Sequence, residues 1–277
     1  MKRILTAIAA LALVATTAVP AFAGMLDDIR GRNVVRIGVS LGGEPIGFRD
    51  PQNNPVGYDV DVANMIAAKL GVPVRYTWFP QATGFLRNTL RARRCDIVIG
   101  MVSGAELVLS TNPYYRSTYV MVTRKADGIT ADRLDDPALT SLKIGLIAGT
   151  PPAGVAARNG LMRHATPYDL LVDTRYDSPS HRMVDDLVSG RIDVALLWGP
   201  LAGYFAAQQA GALTITPLVH EAKADRMDYF IAMGVRPGEH RWKHEIDQVI
   251  GANKDQITAI LREYHVPMID LQGNLIQ

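Results

Sequence analysis

Few residues in this chain have the types and spacing that carry covalent chemistry. There is no GxSxG elbow, no phosphate-cradling glycine run ending in lysine, and no GxGxxG after a strand-like segment. His240 and His244 stand at i, i+4 in EHRWKHE, the spacing that brings two imidazoles onto one helical face. Arg241 fills the place of the glutamate in an HExxH motif and no third ligand is in view, so the segment reads as a polar helix start. Asp59 and Asp61 are paired carboxylates in the first turn of a helical pattern, where the helix dipole favours negative charge without any acid–base role. The more informative residues stand at the C-terminal ends of strand-like runs. They are Glu44 and Phe48 after the first run, Gln81 and Thr83 after the second, Met101 and Ser103 after the third, and Thr150 and Trp198 after two later ones. In open α/β sheets a ligand sits just outside those ends, so this set is expected to line one binding cleft, apolar with a few polar contacts. The chemistry it suits is binding, with no catalytic, metal or cofactor group.

The elements that would position these residues are organised around residues 94–124. A buried strand over 97–102 feeds a polar loop, then the aromatic pair Tyr114 and Tyr115, then a second strand over 118–123. Before it, after a short linker, come a strand over 34–39, a helix over 57–71 stopped by Gly71, a strand over 72–78 and a helix over 83–94. Strand, helix, strand, helix, strand is the pattern of a doubly wound lobe. The second half repeats it. LKIGLIAGTPPAG (142–154) echoes VRIGVSLGGEPIG (35–47), and RIDVALLWGPLAG (191–203) echoes RCDIVIGMVSGAE (94–106), in the same order. Thr150 is expected to cap a helix that opens with Pro151. Further helices are expected over 178–190, 199–211, 238–251 and 253–265, and a strand over 229–235.

The length of 277 residues, with 48% hydrophobic and 20% charged content, fits one large or two modest domains with a sizeable core. Residues 1–23 read as a secretory signal peptide. Lys2 and Arg3 precede an apolar run, and Ala21-Phe22-Ala23 is a small-x-small cleavage site leaving Gly24 first. That run is shorter than the about 20 residues needed to cross a bilayer, so no membrane span is expected after cleavage and the address is the periplasm. Removing Lys2 and Arg3 leaves 27 basic against 27 acidic residues. A mature charge near zero argues against nucleic acid or an anionic membrane as partner. Cys95 is the single cysteine, so no internal disulfide forms, and it reads as a buried structural thiol.

GYDVDVANMIAAKL (57–70) resembles the signature of the family 3 periplasmic solute-binding proteins, and the resemblance runs from about Val34 to Tyr264. It implies an α/β chain with the type II periplasmic binding protein fold, two doubly wound lobes joined by two hinge strands. On that analogy lobe one is residues 34–119 and 227–277, and lobe two is 120–226. Amino-acid receptors of the family hold the ligand carboxylate with an arginine and its ammonium with an aspartate. The matching positions here are Leu107 and Trp198, so the resemblance implies a poor amino-acid receptor. RNTL, RCDIVIG and PYYRSTYV resemble a narrower branch, the quinoprotein dehydrogenase-associated MxaJ/XoxJ type. That branch implies a non-enzymatic accessory role beside a PQQ-dependent alcohol or methanol dehydrogenase, with no cofactor of its own. The sequence departs from it at Gly38, where the branch carries a cysteine, and at Gly100-Met101-Val102, where the branch has a GVP loop. Two other functions stay open. One is an ABC import receptor, with a permease as partner, for a solute other than a simple amino acid. The other is an enzyme resembling the periplasmic prephenate or arogenate dehydratases, with Glu44 as its acid.

Overall fold

The computed structural model describes residues 24–80, 84–222 and 224–276. The expected signal peptide, residues 1–23, and the expected contacts Gln81 and Thr83 lie outside the described residues. The segment that reads as a linker is a helix, α1 (Met25–Arg32), with Leu26 and Ile29 buried, acids in its first turn and arginines in its last. So short a helix has too few apolar positions for a period to register.

β1 (Val35–Ser40) is buried along almost its whole length, as a central parallel strand must be. A two-strand hairpin, β2 (Phe48–Arg49) with β3 (Pro55–Val56), leads into α2 (Tyr58–Leu70). β4 (Val74–Phe79) and β5 (Ile97–Val102) flank β1, both parallel to it. Between them the helix expected over 83–94 contracts to a short segment built on a π-helical turn, Arg87–Arg91. β6 (Leu109–Ser110) and β7 (Tyr115–Arg124) follow.

The second half is β8 (Ile144–Ile147), α3 (Pro151–Arg158), β9 (Ala165–Tyr168), α4 (Pro179–Val188), β10 (Val194–Trp198), α5 (Gly199–Ala207) and β11 (Leu213–Pro217). β8 lies between β9 and β10, both parallel to it, so it occupies the place that β1 holds between β4 and β5. The two sequence echoes are therefore two copies of one three-strand arrangement. An aspartate clamps each copy at the same point. Asp96 Oδ2 accepts the Arg36 N–H at 2.8 Å, and Asp193 Oδ2 accepts the Lys143 N–H at 2.9 Å. These are the aspartates of RCD and RID, each tying the start of the third strand to the start of the first. Asp96 is fully buried and also binds the guanidinium groups of Arg32 and Arg36.

β12 (Asp228–Val235) returns the chain to the first half, followed by α6 (His240–Ala252), α7 (Lys254–Glu263) and a terminal pair, β13 (Met268–Ile269) with β14 (Leu275–Ile276). Along β7, Tyr115 to Thr118 pair with β12, whereas Tyr119 to Thr123 pair with β10 and Val120 to Arg124 with β11. The later part of β12 pairs with β5 and β6. The strands thus run β4-β1-β5-β12-β7-β10-β8-β9 as one path, and two antiparallel strands join two lobes. Where β7 changes partners, Ser117 and Thr118 are buried, and their hydroxyls donate to the carbonyls of Pro267 (2.6 Å) and Met227 (3.2 Å). Both buried hydroxyls at the crossing are thus paired. Buried apolar residues follow the same division. One cluster draws on Leu26 to Tyr115 and Ile231 to Met268, and two others on Val120 to Met227.

Cys95 packs against Phe85, Leu90 and Val98, and burial pushes its thiol up to about 12, which makes it a small hydrophobe rather than a nucleophile. Among the described residues no helix is long and apolar enough to cross a membrane, and no group of three or more His, Cys, Asp or Glu could hold a metal.

Candidate functional site

A cavity of about 150 Å³ lies between the lobes, and its walls come from the carboxyl ends of strands in both. The loop after β1 contributes Gly42, Gly43 and Glu44. From the second lobe come Ile147 and Thr150 after β8, a segment between Asp169 and Ser180 after β9, and Trp198 at the end of β10. Tyr119 of the joining strand β7 completes the floor. The volume is below the roughly 300–1,000 Å³ of pockets that hold drug-sized ligands. It is small because the lobes touch. Thr174 Oγ1 donates to the Leu41 carbonyl at 2.6 Å, and its Cβ lies 3.3 Å from where a side chain on Gly43 would begin.

Glu44, Thr150 and Trp198 are therefore brought together. Phe48 is half-buried on the β2–β3 hairpin, Met101 packs at the edge of the Cys95 cluster, and Ser103 is half-buried with its N–H on the Phe230 carbonyl at 2.8 Å; none of these three lines the cavity. Thr150 precedes Pro151 at the start of α3, but its hydroxyl donates to the Ile147 carbonyl at 2.7 Å instead of capping the helix. Leu107 is 53% exposed on a different surface and has no part in the cleft.

The floor is aromatic. Tyr119 and Trp198 face each other across β7 and β10, with ring centroids 5.2 Å apart and an interplanar angle of 63°. Tyr229 of β12 closes the triangle at 6.4 Å from Tyr119 and 6.0 Å from Trp198, edge to face in both cases. Burial, then the neighbouring Tyr229, pushes the Tyr119 hydroxyl up to about 12, so it stays a neutral donor. Among the described residues the walls carry three carboxylates, Glu44, Asp169 and Asp177, and no lysine or arginine. Asp177 is held by Arg182 through two bonds of 2.9 and 3.0 Å. Burial, then the Glu44 carboxylate, raises the Tyr204 hydroxyl. The expectation that both charges of an amino acid would lack partners is thus half corrected. An ammonium would find carboxylates, whereas an α-carboxylate would enter an acidic cavity with no cation, at a cost on the order of several kcal/mol. Such walls suit apolar, aromatic or basic groups.

Tyr119 and the 169–180 segment are absent from the residues chosen from the sequence. Tyr119 lies on a strand rather than at its end, and 169–180 is an irregular loop. Its one sequence signal is a short apolar run, Leu170-Leu171-Val172, inside a mostly polar stretch. Thr174→Val would remove the bond that bridges the lobes. Loss of one such bond, worth about 1 kcal/mol, is expected to move an open–closed equilibrium about fivefold toward open, seen as a larger radius of gyration in small-angle scattering.

Residues 35–266 match the family described as bacterial extracellular solute-binding proteins, family 3. The chain is 27% identical over 232 residues to protein MoxJ of Methylorubrum extorquens, covering 78% of this chain and 77% of that one. It is similar to the crystal structure of the periplasmic binding protein XoxJ from Methylobacterium extorquens AM1. The identity is 35%, 85% of this chain and 99% of that chain are covered, and the TM-score is 0.68. An ancestral cationic amino acid solute binding protein shares the fold at 20% identity and a TM-score of 0.71, over 87% of this chain and all of that one.

Proposed function

The chain belongs to the bacterial extracellular solute-binding proteins of family 3, in their MxaJ/XoxJ-type branch, and we propose that it serves a quinoprotein alcohol or methanol dehydrogenase as a periplasmic accessory protein. It performs no turnover of its own. Its interlobe cleft takes a segment of that dehydrogenase, or a small ligand, through apolar, aromatic or basic groups. The observation that carries this reading is the cleft itself, with an aromatic floor, walls that carry carboxylates and no cation among the described residues, and a rim loop that holds large apolar and aromatic side chains in solvent. Leu170, Leu171 and Tyr176 on the rim loop are 54%, 66% and 83% exposed. Large apolar side chains held in solvent beside a cleft suit a protein surface better than a free solute. The relation to MoxJ and XoxJ supports the choice of partner.

The exchange of partners along β7 supports lobe limits of 34–119 with 227–277 for lobe one and 120–226 for lobe two. Glu44, Thr150 and Trp198 are the proposed contacts, with Tyr119 added.

The test is a deletion strain complemented with the wild type or with a Leu171→Asp/Tyr176→Asp variant, scored for periplasmic quinoprotein dehydrogenase activity. Deletion is expected to remove most of that activity, and the variant is expected to fold normally yet fail to restore it. Unchanged activity in the deletion strain would overturn the reading. If one small solute also stabilised the purified chain strongly in a thermal-shift screen, an import receptor working with an ABC permease would take its place.

A further inference from the structure

A second pocket, of about 330 Å³, is lined by Arg91, Arg93, Leu107, Arg236 and Pro237 and shares no residue with the interlobe cleft. Residues 84–95 hold four arginines, Arg87, Arg91, Arg93 and Arg94, and no acid, in a chain whose acidic and basic residues otherwise nearly balance. Arg91 and Arg93 are exposed, and neither has an ion-pair partner among the described residues. Arg236 forms the fixed wall. Its side chain is 9% exposed, its Nε donates to Glu239 at 2.7 Å, and its Nη1 donates to the carbonyls of Leu90 and Cys95 at 3.2 and 2.7 Å. Among the described residues Nη2 has only the Met25 sulfur, at 3.5 Å. Four of its five N–H donors are thus used inside the protein, one of them weakly.

The remaining wall is apolar and strained. Leu107 is 53% exposed and sits at φ 70°, in the left-handed region that a leucine enters only against steric resistance. Arg93 has φ 54°, in the same region. Glu106, the neighbour of Leu107 in the chain, is exposed but does not line the pocket. An unfavourable backbone that holds a large apolar side chain in water, beside two free guanidinium groups, is the kind of local cost found at binding sites.

We propose that this pocket docks an acidic segment of a partner protein, whose carboxylates pair with Arg91 and Arg93 while one large apolar side chain packs on Leu107 and Pro237. Guanidinium forks match carboxylates bidentately, and the apolar wall gives a peptide a contact that a free inorganic anion could not use. The inference does not depend on what occupies the interlobe cleft or on which protein the partner is.

The experiment is fluorescence anisotropy with the mature chain and a labelled nonapeptide of glutamates and aspartates around a central leucine. Titrations run at about 20 mM NaCl, where screening is weak. Saturable binding is expected, weakened at least about tenfold by Arg91→Glu/Arg93→Glu and about threefold by Leu107→Gly. The arginine variant leaves the circular dichroism spectrum and thermal melt unchanged, because neither arginine holds an ion pair. A peptide with glutamine and asparagine in place of the acids is expected not to bind. Should Arg91→Glu/Arg93→Glu prove misfolded, Leu107→Gly and the neutral peptide still decide the matter. The proposal is overturned if no saturable binding appears up to about 1 mM peptide, or if the variants bind as the wild type does. Competition by inorganic phosphate at equal potency would make this a simple anion site. Arginine-dependent binding of phosphatidylglycerol vesicles without peptide binding would make it a membrane contact. Either result overturns the proposal.

Discussion

Gly38→Cys is expected to form a disulfide with Cys95 that holds the first and third strands of lobe one together. A Cβ built on Gly38 falls 3.0 Å from the Cys95 sulfur. That is about the separation between a Cβ and the partner sulfur in a bridge with an S–S bond of about 2.04 Å. The same Cβ also falls 2.9 Å from Val98 Cγ1, so the reduced variant must displace a core side chain, at about 1–3 kcal/mol. Closing a loop of this length restricts the unfolded chain by about 4 kcal/mol in the chain-entropy account. The oxidised variant should therefore melt well above its own reduced form and modestly above the wild type. Burial holds the Cys95 thiol at about 12, so the bridge forms on oxidative refolding and hardly at all on exposing the native reduced variant to oxidant. Thiol titration, intact mass and melts with and without reductant read the outcome. Two free thiols after oxidative refolding would refute it. A cysteine at position 38, where the resemblance led one to be expected, would therefore have its partner in Cys95.

What the sequence made legible was periodic or repeated. β1, β5, β8 and β10 are buried apolar runs between turn signals, and the paired echoes around RCD and RID put β1 and β8, and β5 and β10, in equivalent places. The clamp by Asp96 and Asp193 explains why those echoes include an aspartate. Strand-end reasoning reached Glu44, Thr150 and Trp198 because strand ends of both lobes converge on the cleft. It did not reach Tyr119, whose facing depends on strand register, since a shift of one residue would turn it away. Nor did it reach the 169–180 loop, because an irregular segment is placed by what it packs against rather than by a period. Motif spacing alone put Leu107 in the ligand loop. The chain after β5 instead turns away through Gly104, whose N–H donates to Ser110 Oγ at 3.0 Å, and β6 then pairs with β12, which carries Leu107 to another face.

Asp59 shows the same limit, since its place in the first turn of α2 suggests an ionised, dipole-stabilised carboxylate, whereas the residue is 1% exposed. Gly100, at φ 72°, lies so close that a Cβ there would be 2.4 Å from Asp59 Oδ2. Burial raises the carboxyl from 3.8 to about 7, against a smaller opposing effect of the Tyr114 hydroxyl, which donates at 3.4 Å. The other titratable groups around it, Tyr58, Tyr114 and Tyr115, have hydroxyls that burial drives upward, so they remain neutral over the same range. Between about pH 4 and 7 the native state therefore holds a proton that the unfolded chain has released, and stability falls as pH rises through that window. The fall is at most about 4 kcal/mol and ends once pH exceeds about 7. Asp59→Asn keeps the shape and an acceptor for Tyr114 but has no proton to lose. It is expected to match the wild type near pH 4 and to be more stable by a few kcal/mol near pH 8, as measured by urea unfolding at both. Parallel stability curves for the two proteins across that range would mean that Asp59 stays ionised in its buried place. Tyr114 stands next to the first residue of β7, so a charge appearing on Asp59 would fall at the base of the strand that joins the lobes.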